Sequence, residues 1–185
     1  MPVSTHQMQE SEIIRSVLSG HTDDFTRLVK AHEAAVFRIV MGFVHHKEDA
    51  EDITQEVFIK AFQSLDSFAG RSSFSTWLYR IAIHTSLNEL KKRKRKRIWS
   101  MALEMLQFPS ENKDPEQELT GKSEQELIRK AIDTLPAKQR MAFILSRYEE
   151  LPQREVAQIM ELSEGAVEQL LIRARDNLKK NLQHP

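Results

Sequence analysis

Phe74-Ser75-Thr76-Trp77-Leu78-Tyr79-Arg80-Ile81-Ala82-Ile83-His84-Thr85-Ser86-Leu87-Asn88-Glu89-Leu90 runs without a break into Lys91-Lys92-Arg93-Lys94-Arg95-Lys96-Arg97. Apolar residues at 74, 77, 78, 81 and 90 suit a helix with one buried face. Trp77, Tyr79, Arg80, His84 and Asn88 bring aromatic, cationic and amide groups to the same element. The seven consecutive cations that follow could not be absorbed by any protein interior. A stiff helix with stacking groups and base-edge readers, ending in a cationic tail, suits nucleic acid: strand backbone needs positive charge, and exposed bases need flat faces. Phe74 and Leu78 are assigned to the core, as aromatic and aliphatic residues at helical spacing usually are. The cationic run standing alone would read equally as a solvated tail.

Net charge over the 185 residues is zero, and that zero conceals a segregation. Residues 1–70 carry six Lys/Arg against eleven Asp/Glu, whereas residues 71–97 carry nine against one. Residues 98–123 are acidic again, with two against five, and residues 124–185 balance at ten each. An acidic block beside a basic one points to two partners, one basic and one polyanionic. Cysteine is absent, which removes disulfides, thiolate metal sites and cysteine catalysis and fits a reducing cytosol. The first ten residues have no apolar signal region, and the uncharged run Ile39–Val44 is far too short to cross a bilayer. The expectation is a soluble, cytoplasmic protein with no membrane insertion.

Working back from Phe74, a loop at 66–73 is rich in Asp, Gly and Ser, and Ser72 or Ser73 can cap the pivotal helix. Phe68 within that loop must bury itself, stack or stay wet. Upstream, Ile53, Val57, Ala61 and Leu65 mark one buried stripe, leaving Asp52, Gln55, Glu56 and Ile59 on the opposite side. That side is either a solvated face or an acidic docking surface. Earlier still, Phe25, Leu28, Val29, His32, Val36, Ile39, Val40 and Phe43 form a stripe of period near 3.6, with His32 as a core or boundary residue. A first helix over 10–20 turns Ile13, Ile14, Val17 and Leu18 inward and stops at Gly20, and Thr22 can cap the next. His45 and His46 lie near Glu48 and Asp49, but adjacent residues at a helix end point apart, so no metal site is read there.

Downstream of the cations, residues 98–123 gather Pro109, Ser110, Asn112, Asp114, Pro115 and Gly121 and read as linker. Ser123 and Glu126 have capping-box spacing at the start of a second helical unit. Leu127, Ile128, Ala131, Ile132 and Leu135 form its first stripe, and Met141, Ile144 and Leu145 its second. After Leu151-Pro152, the segment Gln153 to Leu170 is spaced like a helix-turn-helix. Ala157 allows close approach, and Val156, Met160, Leu162, Val167 and Leu170 would form the inter-helix core. Ser163 can cap the second helix, along which Arg173, Arg175, Lys179 and Lys180 follow. Glu161 stands in the turn where glycine is common.

The two halves together resemble a bacterial RNA polymerase sigma factor of the small, extracytoplasmic-function kind. Asp49-Ala50-Glu51-Asp52-Ile53-Thr54-Gln55-Glu56-Val57-Phe58 is similar to the family's polymerase-binding segment, Phe74–Ala82 to its promoter-melting segment, and Leu135 to Arg175 to its −35-reading domain. The resemblance implies an all-α protein of two small helical domains, 1–97 and 124–185, joined by a flexible linker at 98–123. It implies a non-enzymatic role without a cofactor or small-molecule substrate. Asp49, Asp52, Gln55, Glu56 and Ile59 would meet the clamp helices of the polymerase β′ subunit, with the β flap as a second polymerase contact. Phe68 and Arg71 would hold a base extruded from the −10 element. Trp77, Arg80, His84 and Asn88 would face the separated strand or the duplex edge, and Lys91, Lys92 and Arg93 nearby phosphates. Ser163, Glu164, Gly165, Ala166, Glu168, Gln169, Ile172, Arg173, Arg175 and Lys179 would serve the −35 element, with Gln169 the best base reader by chemistry. An anti-sigma factor is an expected partner.

Two departures from the family pattern bear on promoter choice. His84 stands where asparagine is frequent. Glu168 stands where a basic residue is frequent, and a carboxylate there repels phosphate but can accept from a cytosine amino group. The competing function is a stand-alone operator-binding regulator, which would leave the acidic 49–56 segment without a role.

Overall fold

The computed structural model describes residues 5–107 and 124–183, and among them every regular element is helical. The N-terminal body comprises α1 (Thr5–Leu18), α2 (Phe25–Val44), α3 (Lys47–Gln63) and α4 (Phe74–Gln107); the C-terminal body comprises α5 (Glu124–Asp133), α6 (Ala137–Arg147), α7 (Gln153–Met160) and α8 (Glu164–Gln183). No helix of the described residues is long and apolar enough to cross a membrane.

In the N-terminal body the stripes read from periodicity are the packed ones, whereas in the C-terminal body Ile128 departs from its expected stripe and is 42% accessible. Leu28, Val36, Ile39, Val40 and Phe43 of α2 meet Ile53, Val57 and Ala61 of α3 and Phe74, Leu78, Ala82 and Ile83 of α4 in the core. His32 is buried, as expected, and its Nε2 lies 2.7 Å from Glu10 Oε1 on α1, so the pair pins the first helix to the second. Two details differ. Leu18 is exposed, because it ends α1 where the chain already turns outward. Thr22 caps nothing: it opens a short 3-10 turn, and Asp24 at the α2 N-cap position accepts from Ser16 Oγ at 2.5 Å instead.

Helix α4 is 34 residues long and continues ten residues past Arg97, into the stretch that composition assigned to the linker. Apolar periodicity stops near Leu90, but lysine and arginine are good helix formers, and nothing in 91–107 breaks the helix. The first half of α4 is packed; Lys94 to Ser100 stand exposed, with Trp99 73% and Ile98 54% accessible. Residues 108–123, with Pro109, Pro115 and Ser123, lie outside the described residues.

The two bodies touch directly. A single apolar cluster runs from Ile13 through the N-terminal body to Ile144, Leu145, Val156, Ala157, Ile159 and Val167. Gly42 in the last turn of α2 lies so close to Ile144 of α6 that a Cβ there would meet Ile144 Cγ2 at 2.9 Å. That approach accounts for a glycine inside a helix, where it costs about 1 kcal/mol relative to alanine.

Candidate nucleic-acid interface

Ser73 starts α4: its Oγ accepts from the Thr76 amide at 3.1 Å, as an N-cap should. With the helix so started, Trp77, Arg80, His84 and Asn88 recur at three- and four-residue intervals and fall along one side. Together with Lys60, Ser64, Ile81 and Thr85 they line a groove of about 430 Å³. Lys60 is drawn into it from α3, donating to Thr85 Oγ1 at 3.3 Å while paired with Glu56 at 2.7 Å.

Beside that groove, the loop before α4 forms a cavity of about 450 Å³ lined by Ser67, Phe68, Ala69, Arg71, Ser72, Trp77, Arg80 and Glu161. Phe68 does not project freely. Its ring packs 5.3 Å from Trp77 and edge-on to Phe74 at 5.8 Å, and Phe74 in turn sits 5.6 Å from Trp77. This three-ring cluster is the floor on which a flat base can stack, and it holds Trp77 between the groove and the cavity. Arg71 is exposed at the rim.

Further along α4, His84, Asn88, Lys91 and Lys92 are exposed, whereas Arg93 is half-buried. Arg93 NH1 reaches Asp49 Oδ2 of α3 at 2.5 Å, and its Nε reaches Glu89 at 3.2 Å. The Arg93 hydrogen bond holds the Asp49 carboxyl below its ordinary value, and the Asp49 hydrogen bond raises the guanidinium correspondingly. Two residues expected to serve different partners thus hold each other. On the remaining acidic face, Asp52, Gln55, Glu56 and Ile59 are all exposed, Ile59 at 56%.

In the C-terminal body, Ser163 caps α8 through the Ala166 amide at 3.2 Å. Val156, Ala157 and Val167 close the inter-helix core, and the turn passes through Glu161 at φ 56°. That left-handed conformation is what glycine normally supplies, and the odd residue seen in the sequence sits there. Gly165, Glu168, Gln169, Ile172 and Arg173 lie exposed on α8, Ala166 is half-buried, and Gln153 on α7 donates to the Glu164 carbonyl at 2.7 Å. Arg175 and Lys179 are exposed on α8 too. They line a groove of about 450 Å³ with Phe143, Leu171, Leu178 and Leu182, on the same side of the helix as Glu168 and Ile172.

The contacts that seat one body on the other were not readable from sequence. Arg80 donates from Nε to the Ile159 carbonyl at 3.2 Å and from NH2 to the Gln158 carbonyl at 2.6 Å, with NH1 3.0 Å from Glu161 Oε1. Arg38 on α2 donates from Nε and NH2 to the two Glu149 carboxylate oxygens, at 2.7 and 3.0 Å, and the glutamate side chain is 3% accessible. Burial pushes the nearby Tyr79 hydroxyl up to about 12, with the Glu149 carboxylate adding to the effect. Arg140 donates to the Phe43 carbonyl, lies over the Phe43 ring at 5.5 Å and pairs with Asp133 at 2.6 Å. Burial pulls its guanidinium below the ordinary value, with Asp133 opposing. Gly42, inside an apolar helix run, was the one local signal of close approach.

Comparison with known proteins places this geometry. Residues 28–96 match the Sigma-70 region 2 family model, and residues 125–178 match that of Sigma-70, region 4. The chain is 32% identical over 184 residues to the RNA polymerase sigma-H factor of Pseudomonas aeruginosa, covering 96% of this chain and 95% of that one. It is 33% identical over 186 residues to the ECF RNA polymerase sigma-E factor of Escherichia coli, covering 97% of each. Among solved structures, CnrH in complex with the cytosolic domain of CnrY superimposes with a TM-score of 0.65 at 23% identity, over 92% of this chain and 95% of that one. The Bartonella quintana sigma factor RpoE in complex with the anti-sigma factor NepR gives 0.59 at 25% identity, over 87% and 98%.

Proposed function

The chain belongs to the sigma-70 family, in its extracytoplasmic-function branch, and on that footing we propose how its residues divide the work of a sigma factor. It binds core RNA polymerase and directs promoter-specific initiation; the family is one of non-enzymatic initiation factors. Residues 1–97 form the polymerase-binding and −10 domain and residues 124–185 the −35 domain, and the protein works in the cytoplasm without catalytic chemistry of its own. The exposed face of Asp52, Gln55, Glu56 and Ile59 docks on the basic clamp helices of the β′ subunit, with Asp49 at its border. The β flap is the second polymerase contact.

The cavity of Phe68, Arg71 and Trp77 receives a base extruded from the −10 element. Extrusion costs a few kcal/mol, about what one aromatic stack and edge hydrogen bonds return. Arg80, His84 and Asn88 follow the separated strand along the adjoining groove, and Lys91 and Lys92 neutralise its phosphates. At the −35 element the capped start of α8, Ser163 to Ala166, lies against backbone, and Glu168, Gln169 and Ile172 read bases. Arg173 positions the helix on phosphate. An anti-sigma factor restrains the chain, a reading supported by structural likeness to a sigma factor solved with one.

What carries the proposal is that the two family regions fall in order on two helical bodies. In-vitro transcription with purified core enzyme on a genomic fragment library tests it. Defined start sites that require the added chain are expected; transcripts whose starts do not depend on it would refute the assignment.

A further inference from the structure

Lys60 stands where two surfaces with different proposed partners meet. It follows Glu56 by four residues on α3, and its Nζ lies 2.7 Å from Glu56 Oε1 on the acidic face. The same Nζ donates to Thr85 Oγ1 of α4 at 3.3 Å. Thr85 is buried, so its hydroxyl is fixed in the wall of the groove that Lys60 lines with Trp77, His84 and Asn88. The ammonium thus belongs to the strand groove by position and to the docking face by charge. A strand phosphate approaching it meets a carboxylate already in contact, and gains little. The lysine and glutamate side chains are 42% and 49% accessible, and an exposed pair one helical turn apart is weak. It neutralises the lysine, yet yields to a stronger rival for the carboxylate. Arg93 offers the contrast: besides Asp49 it has Glu89 of its own helix at 3.2 Å, so losing the α3 partner leaves it paired. Among the described residues Glu56 is the one carboxylate paired with Lys60.

We propose that Lys60 is a further strand-phosphate contact, held in reserve by Glu56 and released when a cation of the polymerase takes that carboxylate. The inference rests on the docking and −10 roles assigned above. Polymerase binding then adds one positive charge to the groove without moving a helix, and Thr85 keeps the freed ammonium at the groove wall. Coupling between two sites is reciprocal. A strand that draws Lys60 away therefore bares Glu56, and strengthens docking by the same factor.

The test measures strand binding over a range of salt. The probe is a short fluorescent single strand from the non-template −10 region of a promoter on which the chain and core enzyme initiate. The full chain is used free and with saturating core polymerase, as wild type, Glu56→Gln, Lys60→Met and the two combined; methionine keeps the apolar stem of the lysine. One phosphate contact to a single strand contributes about 0.7 to the log–log slope, or about 2.6-fold in relative affinity over a fourfold range of salt. In the free chain Glu56→Gln should steepen the slope by about 0.7, Lys60→Met should leave it unmoved, and the combination should match Lys60→Met. With core bound, Lys60→Met should lose about 0.7 and Glu56→Gln should equal wild type, because the polymerase already holds that carboxylate. An equal loss from Lys60→Met in both states would overturn the proposal by making Lys60 an ordinary contact. A steepening by Glu56→Gln that survives in the combined variant would overturn it too, as the field of the lost carboxylate alone. No effect of Lys60→Met in either state would make the residue structural and sink the proposal, while initiation by the wild type would leave the sigma assignment standing. A wild type that does not initiate with core enzyme would remove the docking role, and the proposal with it.

Discussion

Arg93 of α4 and Asp49 of α3 are joined at 2.5 Å, and Glu89 holds the same guanidinium from one turn earlier at 3.2 Å. The bridge ties the helix proposed to meet polymerase to the helix proposed to meet DNA. Both side chains are about a third accessible, so the pair stabilises by only about 0.5 kcal/mol. Its sign with pH is definite. The Asp49 carboxyl titrates below its ordinary value in the folded chain, so the contribution is complete above the unfolded value of about 3.9 and fades as pH falls through the folded one. Urea melts of Asp49→Asn should fall below wild type by about 0.5 kcal/mol at neutral pH and converge with it in acid; an identical acid limb would show the bridge to be idle.

Gln55→Ala combined with Glu56→Ala should weaken association with core polymerase while leaving the fold intact, since both side chains are exposed and neither is in the core. Among the described residues Glu56 pairs with Lys60, one turn away on the surface, which contributes about 0.3 kcal/mol. Equal capture of core enzyme by wild type and variant would remove this face from the docking surface.

Trp77→Ala should impair promoter opening beyond its effect on stability. The ring is half-buried against Phe68 and Phe74, so its loss costs about 2 kcal/mol, below the range for a fully buried aromatic. Permanganate reactivity at the −10 thymines, measured at a temperature where the variant is fully folded, separates the two effects. Wild-type reactivity there would make Trp77 structural only.

Replacing Lys91, Lys92, Lys94 and Lys96 by glutamine should flatten the dependence of promoter binding on salt. Each lost phosphate contact removes about 0.9 from the log–log slope, so the four together remove up to about 3.5. Arg93 is left in place because Asp49 already engages it. An unaltered slope would reduce the run to solvated surface.

Arg140→Ala should destabilise the chain by about 2 kcal/mol, because the Phe43 carbonyl loses its buried donor. Asp133 is half exposed and rehydrates, which keeps the cost below that of breaking a fully buried pair. Arg140 spans the two bodies, so chemical denaturation should also become less cooperative. A variant unfolding at the wild-type midpoint with the wild-type slope would contradict both expectations.

Much of this architecture was legible because it is local. Apolar stripes give α2 and α3, Ser73 and Ser163 announce the helices they cap, and Glu161 marks the turn by standing where glycine is usual. The full length of α4 was not, since nothing amphipathic continues past Leu90 to signal helix among unbroken charges. Nor was the seating of the two bodies. Arg38 and Glu149 are 111 residues apart and Arg80 and Gln158 are 78, and an exposed-looking charge carries no mark of a partner so far along the chain. Arg175 and Lys179 show the same limit in miniature: nothing in the sequence of α8 marks that they flank an apolar groove closed by Phe143 of α6.

The unbroken course of α4 makes it a lever. Its anchored half is gripped by α2 and α3 as far as the Arg93–Asp49 bridge, and the arm beyond residue 93 reaches about 20 Å at the usual helical rise. A tilt of about 10° at the fulcrum therefore sweeps the tip by about 4 Å. Small repacking beneath Leu78 and Ala82 would be felt, magnified, along the exposed far stretch that carries Ile98 and Trp99.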